Sequence, residues 1–160
     1  TMVQKKQEVL TEITTDNIEM YLSKLDENSK PSWGIMTPQH MVEHLEYSYR
    51  IASSEIQDFE ISTPEKHIEK VQETLYNYKP MPVGYDFPLY KKGQLEVLKH
   101  ENLATAKLKL LEARDAYLEF YKENPKAIVK NVVFGHLEKY EWYLLDRKHL
   151  NHHFKQFGLL

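Results

Sequence analysis

The residues that most restrict how this chain can fold are His149 and His153, four apart in Lys148-His149-Leu150-Asn151-His152-His153-Phe154. Four residues of helix advance the side-chain direction by one turn plus ~40°, so the two imidazoles stand above each other on one face. Trp142, Leu145 and Phe157 occupy the same face, and Asp146 is close in phase. A helix that turns this face inward buries two polar rings, and unpaired polar groups are costly in a core. It therefore needs a partner that satisfies both rings. A divalent ion held by neutral imidazole nitrogens is such a partner. Separate pairing of each ring, for example with Asp146, is the alternative.

A matching element lies upstream in Thr37-Pro38-Gln39-His40-Met41-Val42-Glu43-His44-Leu45. Thr37 reads as an N-cap, and Pro38 takes the first helical position, where a missing N–H is harmless. Met41, Val42, Leu45, Tyr49, Ala52 and Ile56 mark the buried stripe of this helix. His44 borders the stripe, whereas His40 and Glu43 lie toward the polar side. One histidine from this helix and two from the last make a three-ligand set with an open position, as in catalytic rather than structural metal centres. His44, His149 and His153 are the candidate ligands.

Asp146, His152 and His40 are candidates to stand behind the ligands. Ligating histidines usually give their second N–H to a carboxylate or carbonyl, and Asp146 is the best placed to take one. It could instead meet Arg114 or a lysine. A four-histidine site using His40 is a second arrangement, although His40 points away from the stripe. His40-Met41-Val42-Glu43-His44 also matches the H-x-x-E-H pattern of inverted zinc proteases, with Glu43 as base. A pattern this short arises by chance in a histidine-rich helical chain.

Eight histidines among 160 residues is a high count, while 41% hydrophobic residues, 28% charged residues and five glycines suit a helical domain. One domain spanning 1–160 is expected. A net charge of −3 offers no footprint for nucleic acid or anionic membrane, and no apolar run is long enough to span a bilayer. Without cysteine there is no disulfide, thiolate metal site or cysteine nucleophile. The first seven residues contain no apolar segment of the secretory type, so a soluble cytoplasmic protein is expected. No G-x-S-x-G elbow or glycine-rich phosphate loop is present.

Periodicity places a polar lead-in over the first fifteen residues. A short helix follows Asp16, with Glu19 as its capping-box partner, and ends near Asp26. Asn28 to Ser32 reads as a turn. Thr63-Pro64 opens a third helix through about Tyr76. Prolines 80, 82 and 88 break the stretch from Asn77 to Gly93, which carries Tyr78, Tyr85, Phe87 and Tyr90 and reads as a packed aromatic loop or lid. A long helix is expected from Leu95 to Lys122. A buried crossing segment or brief strand follows over Ala127 to Gly135, then a last helix from Glu138 to Phe157. The expected fold class is all-α: a four-helix bundle with an additional short helix and a long aromatic loop.

Trp33-Gly34-x-Met36-Thr37-Pro38-Gln39-x-Met41-x-x-His44-Leu45 resembles the helix-two signature of the DinB-like superfamily, which includes YfiT-type metal-dependent hydrolases. Phe134-Gly135-x-Leu137, Glu141-Trp142 and the stretch from His149 to Gly158 resemble the end of a poorly characterised branch of that superfamily. The likeness runs from about Asp16 to Leu159. It implies an up-down-down-up four-helix bundle and a metal on His44, His149 and His153. His40, His152 and the loop over 77–93 lie outside the family pattern.

The resemblance further implies a metal-dependent enzyme in which a divalent ion, zinc or nickel, activates water or a low-molecular-weight thiol cosubstrate. The reaction would be hydrolysis or thiol transfer on a small-molecule substrate, by a monomer or homodimer. The contrasting expectation is a non-catalytic bundle for binding or structure that keeps a vestigial metal site.

Overall fold

A computed structural model describes residues 9–160, so the first half of the expected polar lead-in lies outside the described residues. The described chain is mostly helical: α1 (Ile18–Ser23), α2 (Pro38–Ala52), α3 (Glu65–Glu73), a single 3₁₀ turn (Thr74–Tyr76), α4 (Leu103–Glu123) and α5 (Lys139–Gln156). One hairpin, β1 (Ile128–Asn131) against β2 (Gly135–Glu138), interrupts the helices.

Where caps were legible, the helices start as read. Thr37 Oγ1 accepts the His40 N–H and Pro38 opens α2. The third helix begins beside Thr63-Pro64, although no side chain caps it. At α5 a reciprocal capping box between Glu138 and Glu141 sets the start.

Two boundaries differ. Asp16 does not cap α1: Asn17 holds the cap position, with its amide spent on Thr14 N and Glu12 O. The long helix begins at Leu103 rather than Leu95, because the Asn102 side chain accepts the Thr105 N–H and stops the helix extending upstream. Leu95, Val97 and Leu98 are exposed, so their helix-like spacing marks no buried face. The irregular aromatic segment consequently runs from Asn77 to Asn102.

The chain over Ala127–Gly135 takes the strand alternative. Residues 128–131 pair antiparallel with 135–138 in the register Val129↔Leu137 and Lys130↔His136. Asn131 Oδ1 accepts the Val133 and Phe134 N–H groups, and Gly135 at φ +74° completes the bend. Trp142 Nε1 donates to Val129 O and ties the hairpin to α5.

The core lies where α2 packs along α4, with Met41, Val42 and Leu45 buried alongside Ala106, Leu110 and Ala113. The two alanines let the helix backbones approach. Phe154, Leu150 and Trp142 bring α5 to the same core, and α1 adds Ile18 and Leu22. Tyr21 meets Phe154 at 5.8 Å between ring centroids. This packing brings the inner faces of α2 and α5 together with the histidines between them.

Candidate metal centre

Pro38 and Thr37 fix the phase of α2, and His44 follows as a buried residue beside Met41 and Leu45. On α5 the one-turn spacing places His149 and His153 against it. The three ring centroids form a nearly equilateral triangle: 4.8 Å for His44–His149, 4.9 Å for His44–His153 and 4.7 Å for His149–His153. The Nε2 of His149 lies 2.9 Å from that of His44 and 3.1 Å from that of His153. One ligand atom from each of the three lies within 4.8 Å of the others, close enough to hold one metal ion.

Hydrogen-bond accounting explains why the triangle suits an ion. A neutral imidazole has one N–H and one lone pair. Gln156 Nε2 donates to Trp33 O at 3.0 Å, which leaves Gln156 Oε1 as the acceptor 2.7 Å from His153 Nδ1. His153 therefore carries its proton on Nδ1 and turns a bare Nε2 to the centre. His44 Nδ1 sits 2.9 Å from the Tyr90 hydroxyl, which can accept its proton in the same way. With both outer nitrogens protonated, His149 can supply at most one hydrogen to two facing lone pairs. A cation satisfies all three nitrogens at once.

The rings are also neutral. Burial pushes the pKa of His44 down to about 4, and drives His149 and His153 well below the usual histidine value, with mutual repulsion adding to it. Ligating imidazoles must be unprotonated, and burial keeps them so.

The residues expected behind the ligands are placed differently. Asp146 makes no hydrogen bond to His149; it lies beside Tyr49 and within electrostatic reach of Arg114. Gln156 and Tyr90 hold the outer nitrogens instead. His152 is half-buried, packs on Trp33 at 5.3 Å and touches the ring of His153 at 4.9 Å.

His40 is occupied elsewhere: Nδ1 is 2.6 Å from Thr37 Oγ1 and Nε2 is 2.8 Å from Glu96 O. Glu43 does not face open solvent either, because it accepts the backbone N–H groups of Lys99 and His100 and the side-chain amide of Gln39. Both residues clamp the segment before α4. That removes the four-histidine and H-x-x-E-H arrangements from the centre.

Sequence reading missed Tyr90 and Gln156. Gln156 follows His153 by three residues, a same-face spacing that was available as a signal. Tyr90 left none, because it reaches His44 from an irregular loop. Gly34 matters for the same reason as Gln156: it has φ +79°, and a Cβ there would come within 3.2 Å of Gln156 Nε2.

The centre opens into a cavity of about 870 Å³ between α2, α5 and the aromatic segment. Met81, Tyr85, Phe87 and Tyr90 form one wall, and Trp142 and Leu145 belong to the other. Phe87 packs edge-on against His44 at 5.1 Å, so the loop covers the histidines directly. Set against family models, curated proteins and solved structures, the chain matches none of them.

Proposed function

We propose that this chain is a metal-dependent enzyme with a DinB-like four-helix arrangement, acting on a small molecule in the cytoplasm. In this reading His44, His149 and His153 hold a zinc or nickel ion that activates water or a low-molecular-weight thiol for hydrolysis or thiol transfer. The observation that carries it is the convergence of three neutral Nε2 atoms, two with their Nδ1 atoms held from behind, at a cavity large enough for a substrate.

An ion bound by three neutral ligands keeps its full charge and lowers the pKa of a water or thiol at its open position. The chain's own residues do the rest. Gln156 fixes the ring of His153, and Tyr90 ties the orientation of His44 to the closed loop. Phe87 packs on His44, Tyr47 backs Phe87, and the two keep bulk water from that side.

The test is metal analysis of protein purified without a histidine tag, followed by chelation. Thiol-transfer screens with bacillithiol, glutathione and coenzyme A would run beside a hydrolysis screen. One equivalent of metal, activity lost on chelation and a retained helical fold are expected. Unfolding on chelation, with no turnover in any screen, would instead assign a purely structural site.

A further inference from the structure

The cavity wall carries a positive charge that the metal reading does not use. Lys148 on α5 lines the cavity and is only 5% exposed. Its Nζ donates to Thr74 O and to Asn77 Oδ1, both at 2.6 Å, and Thr74 and Asn77 line the same cavity. Both acceptors are neutral. No carboxylate among the described residues lies within ion-pair distance of Lys148, and the charge acting on it is that of Arg147, which repels it.

Asn77 adds a second donor at this point. Its Oδ1 also accepts the Lys79 N–H at 3.0 Å, and two donors converging on one atom identify that atom as the amide oxygen. The Nδ2 of the same amide is therefore held beside the ammonium, and it donates to no described residue. The ammonium has three N–H groups and spends two on Thr74 and Asn77, so both side chains keep a free donor.

A buried ammonium is costly unless an anion pairs it, and two neutral oxygens satisfy its N–H groups without cancelling its charge. On a cavity wall the missing anion can come from a ligand. We propose that Lys148 Nζ and Asn77 Nδ2 receive the carboxylate of a small-molecule substrate, one oxygen each. A carboxylate brings two acceptor oxygens and a single charge, which match two donors and one cation. A phosphate dianion would leave a charge uncompensated. Leu75, Leu145 and Trp142 line the cavity too and suit an apolar or aromatic body. Lys148 directly precedes His149, so the carboxylate would sit on the α5 wall beside the metal centre.

The inference rests on the cavity being the substrate site of the proposed enzyme, but not on the ion being bound. The experiment compares 2-naphthoate with the neutral 2-acetylnaphthalene by ligand-observed nuclear magnetic resonance, on zinc-loaded and metal-free protein. A charge-assisted hydrogen bond predicts that the carboxylate binds about ten- to a hundredfold tighter in both forms. Lys148→Met deletes the cation and should abolish that preference while leaving 2-acetylnaphthalene bound as before. Asn77→Asp keeps the acceptor for Lys148 but supplies the missing anion from within. It should abolish the preference as well, and raise the melting temperature.

Equal binding of the probes, or none, overturns the proposal. So does a preference seen only with zinc, because the ion would then be reading the carboxylate. A preference that survives in Asn77→Asp overturns it even if Lys148→Met fails to fold, and would leave Lys148 a tether between α5 and the turn at Thr74. A Lys148-dependent preference in protein that binds no metal supports this binding point while removing the metal-dependent reading.

Discussion

At His153 a single amide decides the tautomer, and that makes the metal ligands separable from their neighbours. Each of His149 and His153 would supply one of only three bonds, so either residue replaced by Ala should abolish tight metal binding in calorimetric titration. His40→Ala should leave the stoichiometry intact, because both ring nitrogens of His40 serve the α2 cap and the Glu96 carbonyl. A site emptied by His40→Ala but not by His44→Ala would reverse the assignment. Gln156→Leu removes the acceptor that keeps the His153 proton on Nδ1. Loss of such a partner typically weakens metal affinity by about ten- to a hundredfold, which competition with a chromogenic chelator would measure. Unchanged affinity would show that packing alone orients the ring.

At the scale of elements, the segment from Asn77 to Asn102 is the least regular part of the described chain and the most closely tied to the site. Its outer end is pinned to α2 by Glu43 on the Lys99 and His100 backbone, and by Glu46 on the His100 ring at 2.5 Å. Arg50 and His100 together hold the Glu46 carboxyl below its usual value despite its burial. Its inner part sets Phe87 and Tyr90 on His44. These anchors lie within one turn of one helix, so α2 both carries a ligand and seats the lid over it. Glu43→Gln should therefore loosen the lid and leave the centre intact. Hydrogen exchange should rise at residues 96–100, while metal stoichiometry stays at the wild-type value. Loss of metal in this variant would mean that Glu43 acts on the histidines directly.

For the whole molecule, the buried titratable groups make a pH dependence whose sign can be worked out. His44 moves from 6.5 in the unfolded chain to about 4 when folded, and burial drives His149 and His153 well below the usual value too. Between pH 6.5 and about 4 the unfolded state binds the extra protons, so these residues withdraw stability as pH falls. Asp146 works in the opposite direction. Burial raises it from 3.8 to about 6, so its contribution is present below 3.8 and lost as pH rises through 6. Three histidines outweigh one carboxyl, and metal-free protein should lose stability in denaturant titrations on acidification from pH 6.5 to 4. In Asp146→Asn the loss should be steeper, since the opposing group is gone. A flat profile across that window would mean that the imidazoles are not buried in the neutral form.

The sequence alone was enough to place α2 and α5, because the Thr37-Pro38 cap and the inward spacing of His149 and His153 are local signals that tertiary packing did not override. The choice of His44 over His40 was legible for the same reason: phase relative to an apolar stripe decides which side chain turns inward. Local signals failed where an upstream pattern had no structural consequence. Leu95 and Leu98 repeat at helical spacing, yet Asn102 supplies the cap that starts α4 downstream of them. What only the tertiary structure decided is which groups stand behind the ligands. Tyr90 reaches His44 across 46 positions of sequence, and Asp146 meets Tyr49 on a different helix. Such contacts depend on how an irregular loop crosses α2 and how α5 is rotated against it, and side-chain periodicity encodes neither.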